Sequence, residues 1–202
     1  MASTVFIFLA YLIGSISFAV VVSWCFDLPD PHSYGSGNPG ATNVLRTGKK
    51  AAAALTLVGD AAKGAIALWL AKHLAPEFDL GETTLAAVAF AAFIGHLFPL
   101  YFRFKGGKGV STAAGILLAL DARIAGIALL AWLVAVFGLR YSSLASMVAA
   151  VAGSAATFYF LGWGPFSWMV VAMTALLLWR HRANIERLMN GTESRIRMSR
   201  GA

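Results

Sequence analysis

The 202 residues are enough for one or two domains, but 59% of them are hydrophobic and only 12% are charged. Soluble proteins are usually about 25% charged, so this composition and the mean hydropathy of +0.73 exclude a soluble globule and a disordered chain. The 16 Lys and Arg residues outnumber the 9 Asp and Glu residues. In so apolar a chain this excess indicates basic loops that face the cytoplasm and anionic lipid, rather than nucleic acid. We therefore predict an integral membrane protein that does not bind nucleic acid.

Long apolar runs predict seven transmembrane helices, because a helix needs about 20 apolar residues to cross a bilayer. The predicted spans are 3–24, 51–75, 83–101, 110–120, 124–139, 142–161 and 164–179. Between 110 and 139 we predict two short helices, because one long helix would bury Asp121 and Arg123 near the bilayer centre at a cost of several kcal/mol. A re-entrant hairpin is the alternative for this region.

Charge alternates between the predicted connections. Basic residues concentrate in the first connection 25–50, the segment 102–109 and the tail after 179, whereas the turn 76–82 carries only acids. With the N-terminus outside, seven spans put 13 of the 16 basic residues on the cytoplasmic side, as the positive-inside rule expects. The sequence thus predicts an all-α membrane protein with a cytoplasmic C-terminus, folded over 1–202 as a single polytopic domain.

The first connection contains a run of small and polar residues, SYGSGNPGATN, at 33–43. The amides and hydroxyls of such a run can surround an anion, and a following arginine can bind phosphate through two hydrogen bonds. The candidate phosphate-binding residues are Gly37, Asn38, Asn43 and Arg46. A flexible turn without a ligand is the alternative, because Gly, Ser, Asn and Pro are ordinary loop residues.

A second candidate anion site is the sequence KGGKG at 105–109, directly before a predicted helix. Glycine amides, lysine charges and the positive end of the helix all favour an anion there, which makes Lys105, Gly107 and Lys108 candidate ligands. The spacing differs from the GxxxxGK[ST] of ATP-binding loops, so we do not expect ATP. A basic loop made flexible by glycine is the alternative.

Charged and polar residues near the remaining spans indicate a functional site less specifically. His181 and Asn184 fall on one face of a helical continuation of the last span, which is also what a lipid-facing amphipathic helix would show. Asp60 and Lys63 lie inside the second span, where charge is expensive, and form either a mutually neutralising pair or part of a site. We expect no metal site, since the histidines are scattered and Cys25 is the only cysteine.

Three segments together resemble the signature loops of the bacterial membrane acyl-phosphate:glycerol-3-phosphate acyltransferases, the PlsY family. These segments are GSGNPGATNVLRTGKK at 35–50, GHLFPLYFRFKGGKGVST at 95–112 and RHRANIERLMNGTESRIR at 180–197. DAAKG at 60–64 and RYSSLAS at 140–146 also look like that family. The resemblance covers nearly the whole chain and implies seven transmembrane helices in the bacterial inner membrane, with the active site facing the cytoplasm.

The implied reaction transfers an acyl group from acyl phosphate to the 1-hydroxyl of sn-glycerol 3-phosphate. Its products are lysophosphatidic acid and phosphate, in phospholipid biosynthesis. By matching position, the resemblance implies catalytic or binding roles for Ser36, Gly37, Asn38, Arg46, Lys105, Ser143, His181 and Asn184. The proton of the attacking hydroxyl would go either to His181 or to the departing phosphate.

Acyl phosphate has a good leaving group, so we expect no cofactor, no metal and no acyl-enzyme. The expected partners are the two substrates and membrane lipid, and the expected state is a monomer. The alternative function is a membrane transporter of phosphorylated metabolites, with Asp60 and Lys63 in its core. A transporter should show an inverted repeat, and no repeat stands out in this sequence.

Overall fold

The computed structural model describes residues 1–196, and Arg197 and Arg200 of the predicted basic tail lie outside this part of the chain. Residues 1–196 contain helices and connections but no strand, which confirms the all-α prediction. The α-helices are α1 (Ala2–Gly14), α2 (Phe18–Cys25), α3 (Ala41–Val44), α4 (Lys50–Phe78), α5 (Glu82–Leu97), α6 (Val110–Leu120), α7 (Ala122–Leu139), α8 (Ser142–Leu161), α9 (Pro165–Arg180) and α10 (Arg182–Met189). Short 3-10 turns occupy Leu45–Thr47 and Leu100–Phe102.

Helix length limits how many of these helices can cross a membrane unaided. Within the described residues, α4, α7, α8 and the stretch Glu82–Phe102 that begins with α5 are each long and apolar enough. The bent pair α1–α2 makes a fifth span if it is counted as one. Helices α6 and α9 are apolar but only 11 and 16 residues long. The count of seven spans therefore stays a prediction.

The first predicted span, 3–24, is broken rather than continuous. Helices α1 and α2 meet at 15–17 with a bend of 42°. The Ser15 hydroxyl donates back to the carbonyl of Tyr11 at 2.8 Å. The carbonyl of Ile16, inside the break, accepts a 2.7 Å hydrogen bond from the ammonium of Lys63. A carbonyl freed from a helix in an apolar setting needs such a partner, and α4 provides it.

The chain divides into two compact units, the first of which is Met1–Asp121. In this unit α1 packs along α5, and α4 packs along α6. A methyl group on Gly14 would collide with the carbonyl of Ala92, and one on Gly115 would collide with the carbonyl of Ala61. Small residues thus let the helix backbones touch, as is common in membrane helix pairs.

The second unit begins at Ala122. Here α7 packs along α8, α8 packs along α9, and α10 contacts α9. The predicted break between 120 and 124 occurs at Asp121, whose backbone is extended (φ −159°, ψ 123°). A second break separates α9 from α10 at His181 (φ −93°, ψ 4°). The segment with His181 and Asn184, which the sequence predicted as a helical continuation of the last span, therefore forms a separate short helix, α10.

Candidate active site

Asn43 organises the first candidate loop from inside. Its side chain is buried, and its Oδ1 accepts from the amide and the hydroxyl of Ser36, at 2.9 and 3.2 Å. Its Nδ2 donates to the carbonyls of Pro31 and Tyr34, at 2.8 and 3.2 Å. All four bonds join Asn43 to other residues of the protein, so this side chain stabilises the conformation of the loop.

The rest of this loop is presented at the surface. Ser36, Gly37 and Arg46 are exposed. Gly35 and Gly37 have φ of 61° and 65°, a region that residues with a Cβ seldom adopt. A Cβ on Gly35 would collide with Asn43 Oδ1 and lie 3.0 Å from Arg46 Cδ, so the arginine stem crosses directly over the glycine. The guanidinium and the exposed loop can therefore meet the same anion.

The glycines of the second candidate loop allow close packing against His96. The Gly107 amide donates to the His96 carbonyl at 3.1 Å, and a Cβ on Gly107 would collide with the imidazole. The same Cβ would lie 3.0 Å from the carbonyl of Pro39, so the second loop also packs beside the first. The buried glycines present Lys105 at the surface and leave Lys108 partly buried.

Beneath the second loop lies a buried charged cluster. The Lys63 ammonium is 3.1 Å from Asp60 Oδ1, and both side chains are almost fully buried. Nδ1 of His96 is 3.6 Å from the same oxygen. A buried charge without an opposite partner is strongly destabilising, so the pairing explains how these residues are tolerated. The predicted mutual neutralisation of Asp60 and Lys63 is thus present in the structure.

In the second unit, the carboxylate of Glu193 accepts hydrogen bonds from two of the predicted catalytic residues, Ser143 and Asn184. Oε1 of Glu193 accepts from Ser143 Oγ at 2.6 Å and from Asn184 Nδ2 at 2.7 Å, and Oε2 accepts from Arg187 Nε at 2.7 Å. Burial would raise the pKa of the Glu193 carboxyl, but the three hydrogen bonds and the Arg187 charge together hold that pKa below its ordinary value. The carboxylate is therefore ionised at neutral pH and accepts all three bonds.

His181 lies buried at the junction of α9 and α10. Its Nδ1 is 2.8 Å from the carbonyl of Leu177. A carbonyl only accepts hydrogen bonds, so Nδ1 carries a proton. In the neutral ring, the lone pair then lies on Nε2. This is the tautomer in which Nε2 can act as a general base.

Sequence reasoning missed two residues that organise these groups. Glu193 binds Ser143 and Asn184, and the only available signal was that it is one of two acids in a basic tail. His32 contacts Lys105, 73 positions away, and nothing in its sequence context singled it out.

A family model described as glycerol-3-phosphate acyltransferase matches residues 4–191. The chain belongs to this family. A glycerol-3-phosphate acyltransferase of Cupriavidus necator is 58% identical over 197 residues, which cover 97% of each chain. Another, of Paraburkholderia phymatum, is 56% identical over 187 residues, which cover 93% of this chain and 89% of that protein.

Solved structures of the same family share the fold. The crystal structure of PlsY, an integral membrane glycerol 3-phosphate acyltransferase, in its glycerol 3-phosphate form is 35% identical, with a TM-score of 0.90 over 98% of this chain and 96% of that chain. Its lysophosphatidic acid form is 34% identical, with a TM-score of 0.89 and the same coverage. The predicted membership of the PlsY family is thereby confirmed.

Proposed function

We propose that this protein transfers an acyl group from acyl phosphate to the 1-hydroxyl of sn-glycerol 3-phosphate, giving lysophosphatidic acid and phosphate. The observation that carries the proposal is the match to PlsY, which was crystallised in a glycerol 3-phosphate form and in a lysophosphatidic acid form. These two ligands are the acceptor and the product of such a transfer. The family match over residues 4–191 supports the same activity here.

The choice of acyl phosphate as donor is supported by the two loops of the first unit. Both proposed substrates carry phosphate, and this unit offers two candidate anion sites that pack side by side at Gly107 and Pro39. We assign one phosphate to the surface at the exposed Gly37 and the half-buried Asn38, where the Asn38 side chain and neighbouring amides would hold it. The Gly37 amide itself donates to the carbonyl of Tyr34. Arg46 and Lys105, both exposed, would neutralise charge on the substrates with the help of Lys108. The buried Gly107 would contribute by letting the second loop pack closely beside the first. Charge-assisted contacts of this kind are among the stronger ones in proteins.

In the reaction, the 1-hydroxyl oxygen attacks the carbonyl carbon of acyl phosphate. A new ester bond forms, the bond between that carbon and the phosphate oxygen breaks, and phosphate leaves with the electron pair. Ser36, Ser143 and Asn184 would orient the hydroxyl and the carbonyl. The hydroxyl proton goes to Nε2 of His181 or to the departing phosphate. No acyl-enzyme, metal or cofactor is needed, because positioning and charge stabilisation suffice with so good a leaving group.

In the membrane, we propose seven spans, with the short helices α6 and α9 completing the set. The N-terminus lies outside, and the segments 25–50, 102–109 and 180–197 face the cytoplasm from the bacterial inner membrane. The distribution of basic residues supports this orientation. We further propose that 1–202 works as one polytopic domain and as a monomer.

The function is tested with purified protein in detergent, supplied with acyl phosphate and labelled glycerol 3-phosphate. We expect labelled lysophosphatidic acid and an equal amount of phosphate, with little phosphate released when the acceptor is omitted. A transporter of phosphorylated metabolites would instead move labelled glycerol 3-phosphate into liposomes without forming product. Uptake without product would contradict the proposal.

A further inference from the structure

The ring of His32 bridges two connections of the first unit. His32 follows α2, and its Nδ1 is 2.7 Å from Oδ1 of Asp30. Its Nε2 is 3.0 Å from the carbonyl oxygen of Lys105. One imidazole therefore connects the segment before the first loop to the residue that begins the second loop.

Both partners of this ring are hydrogen-bond acceptors. The carbonyl of Lys105 can only accept, and an ionised carboxylate can only accept. Asp30 is ionised at neutral pH, because the backbone N–H of His32 donates to its Oδ1 at 2.9 Å and holds the pKa of the carboxyl below its ordinary value. Both ring nitrogens must then donate, so His32 makes these two bonds as an imidazolium.

The backbone that His32 holds is a tight turn. Arg103 and Phe104 both have positive φ, 51° and 60°, which is unfavourable for residues with a Cβ. Local bonds within the turn run from the Phe104 amide to the Pro99 carbonyl and from the Lys105 amide to the Phe102 carbonyl. The bond from His32 adds an anchor from a different part of the chain.

The other end of the bridge is also fixed. Asn43 donates to the carbonyl of Pro31, the residue directly before His32, and the same Asn43 binds Ser36 in the first loop. A continuous chain of contacts thus runs from the first loop through Asn43, Pro31 and His32 to the backbone of Lys105. This chain sets the distance between the two loops.

We propose that His32 is a positioning residue that, as an imidazolium paired with Asp30, holds the main chain of Lys105 so that its ammonium meets the substrate phosphate. The inference rests on the proposed function of Lys105. A lysine side chain has four rotatable bonds, and binding is weakened by the entropy lost when it is ordered. Fixing its main chain in advance reduces the freedom that must be lost when substrate binds.

The test compares His32→Ala, His32→Arg and His73→Ala in purified protein, with steady-state kinetics for both substrates. His73 is a matched control, because it is a histidine of the same unit that stacks on Trp69 near the end of α4. We expect His32→Ala to raise the KM for at least one phosphate-bearing substrate about 3- to 10-fold, with a smaller change in kcat. His32→Arg should restore the KM to within about twofold, because a guanidinium is always charged and has donors for both acceptors. His73→Ala should match the wild type.

A double-mutant cycle identifies the residue through which His32 acts. With Lys105 already replaced by alanine, we expect His32→Ala to change the KM by less than about twofold. Asp30→Asn, which removes the charge that pairs with the ring, should raise the same KM by itself, and it keeps the test informative if His32→Ala does not fold.

Three results would overturn the inference. The first is a wild-type KM in His32→Ala or Asp30→Asn, and the second is a KM in His32→Arg as high as that of His32→Ala. The third is an effect of His32→Ala on the KM that is just as large when Lys105 is already alanine. Wild-type kinetics in Lys105→Ala would overturn both its proposed role and this inference, whereas failure of the His32 variants alone leaves the proposed function intact.

Discussion

Replacing Glu193 with glutamine keeps the length of the side chain but removes the charge that holds Ser143, Asn184 and Arg187. The amide oxygen of glutamine can still accept from Ser143 and Asn184, which now make neutral bonds instead of charge-assisted ones. Each loses about 1 kcal/mol, the usual difference between the two kinds of bond. The Arg187 bond is lost, but its side chain is 43% exposed, so solvent reduces that contribution to less than about 1 kcal/mol. We therefore expect a total loss of stability of about 2–3 kcal/mol.

Two assays measure this effect on the purified protein. For a chain of this size, we expect the midpoint of thermal unfolding in detergent to fall by about 4–12 °C. We expect kcat to fall by about 10- to 100-fold, because Ser143 and Asn184 lose the carboxylate that orients them. Glu186→Gln is the matched control, since Glu186 is an exposed glutamate on α10, the short helix that carries Asn184 and Arg187. It should change stability by less than about 0.5 kcal/mol.

The pH dependence of stability provides a further check on Glu193. Its pKa in the folded protein lies below the ordinary value of 4.5, so folding favours the ionised carboxylate. The stabilisation is fully present above that ordinary value and is lost as the pH falls through the lower pKa of the folded state. The stability difference between wild type and Glu193→Gln should therefore shrink at acid pH. A Glu193→Gln protein with the unfolding midpoint and kcat of the wild type would refute this account of the network.

Four further predictions concern the site and the topology. Lys105→Ala and Arg46→Ala should each lower kcat/KM about 10- to 150-fold, the effect of losing one charge-assisted contact of roughly 1.5–3 kcal/mol; wild-type kinetics in both would contradict the phosphate assignment. If His181 is the base, His181→Ala should lower kcat about 10²- to 10⁴-fold and change its pH profile; a nearly unchanged kcat and profile would assign the proton to the substrate phosphate. Cys25→Ala should keep most activity, because direct transfer needs no thiol, and a trapped acyl-thioester would contradict this. In otherwise cysteine-free protein in intact cells, a cysteine placed at Lys105 or Asn190 should resist a membrane-impermeant reagent added from outside, and its labelling would contradict the seven-span topology.

The helical fold could largely be predicted, because apolar runs and charged connections depend on local sequence. The separation of α6 from α7 followed from the cost of burying Asp121 and Arg123. The bend between α1 and α2 was not predicted, since the run 3–24 contains no charged residue that would divide it. The carbonyl that the bend frees accepts a hydrogen bond from Lys63, 47 positions away, a contact that exists only once α4 has packed.

The types of residue in the candidate site could be predicted from the sequence, but the contacts between them could not. Small residues in the first loop indicated an anion site, but whether a given polar side chain faces outward or inward depends on the folded loop. Asn43 turns inward and uses all four of its hydrogen bonds on the protein. Glu193 and His32 could not be singled out, because their partners lie up to 50 and 73 positions away. No local pattern encodes such distances.

The central claim, acyl transfer from acyl phosphate by attack at its carbonyl carbon, is tested most directly with a donor carrying ¹⁸O in the oxygen between the acyl carbon and phosphorus. Purified protein is supplied with this donor and labelled glycerol 3-phosphate, and the products are analysed by mass spectrometry. Attack at the carbonyl carbon predicts one lysophosphatidic acid for each phosphate released, with the ¹⁸O in the phosphate. Absence of lysophosphatidic acid, or ¹⁸O retained on the acyl group, would contradict the account.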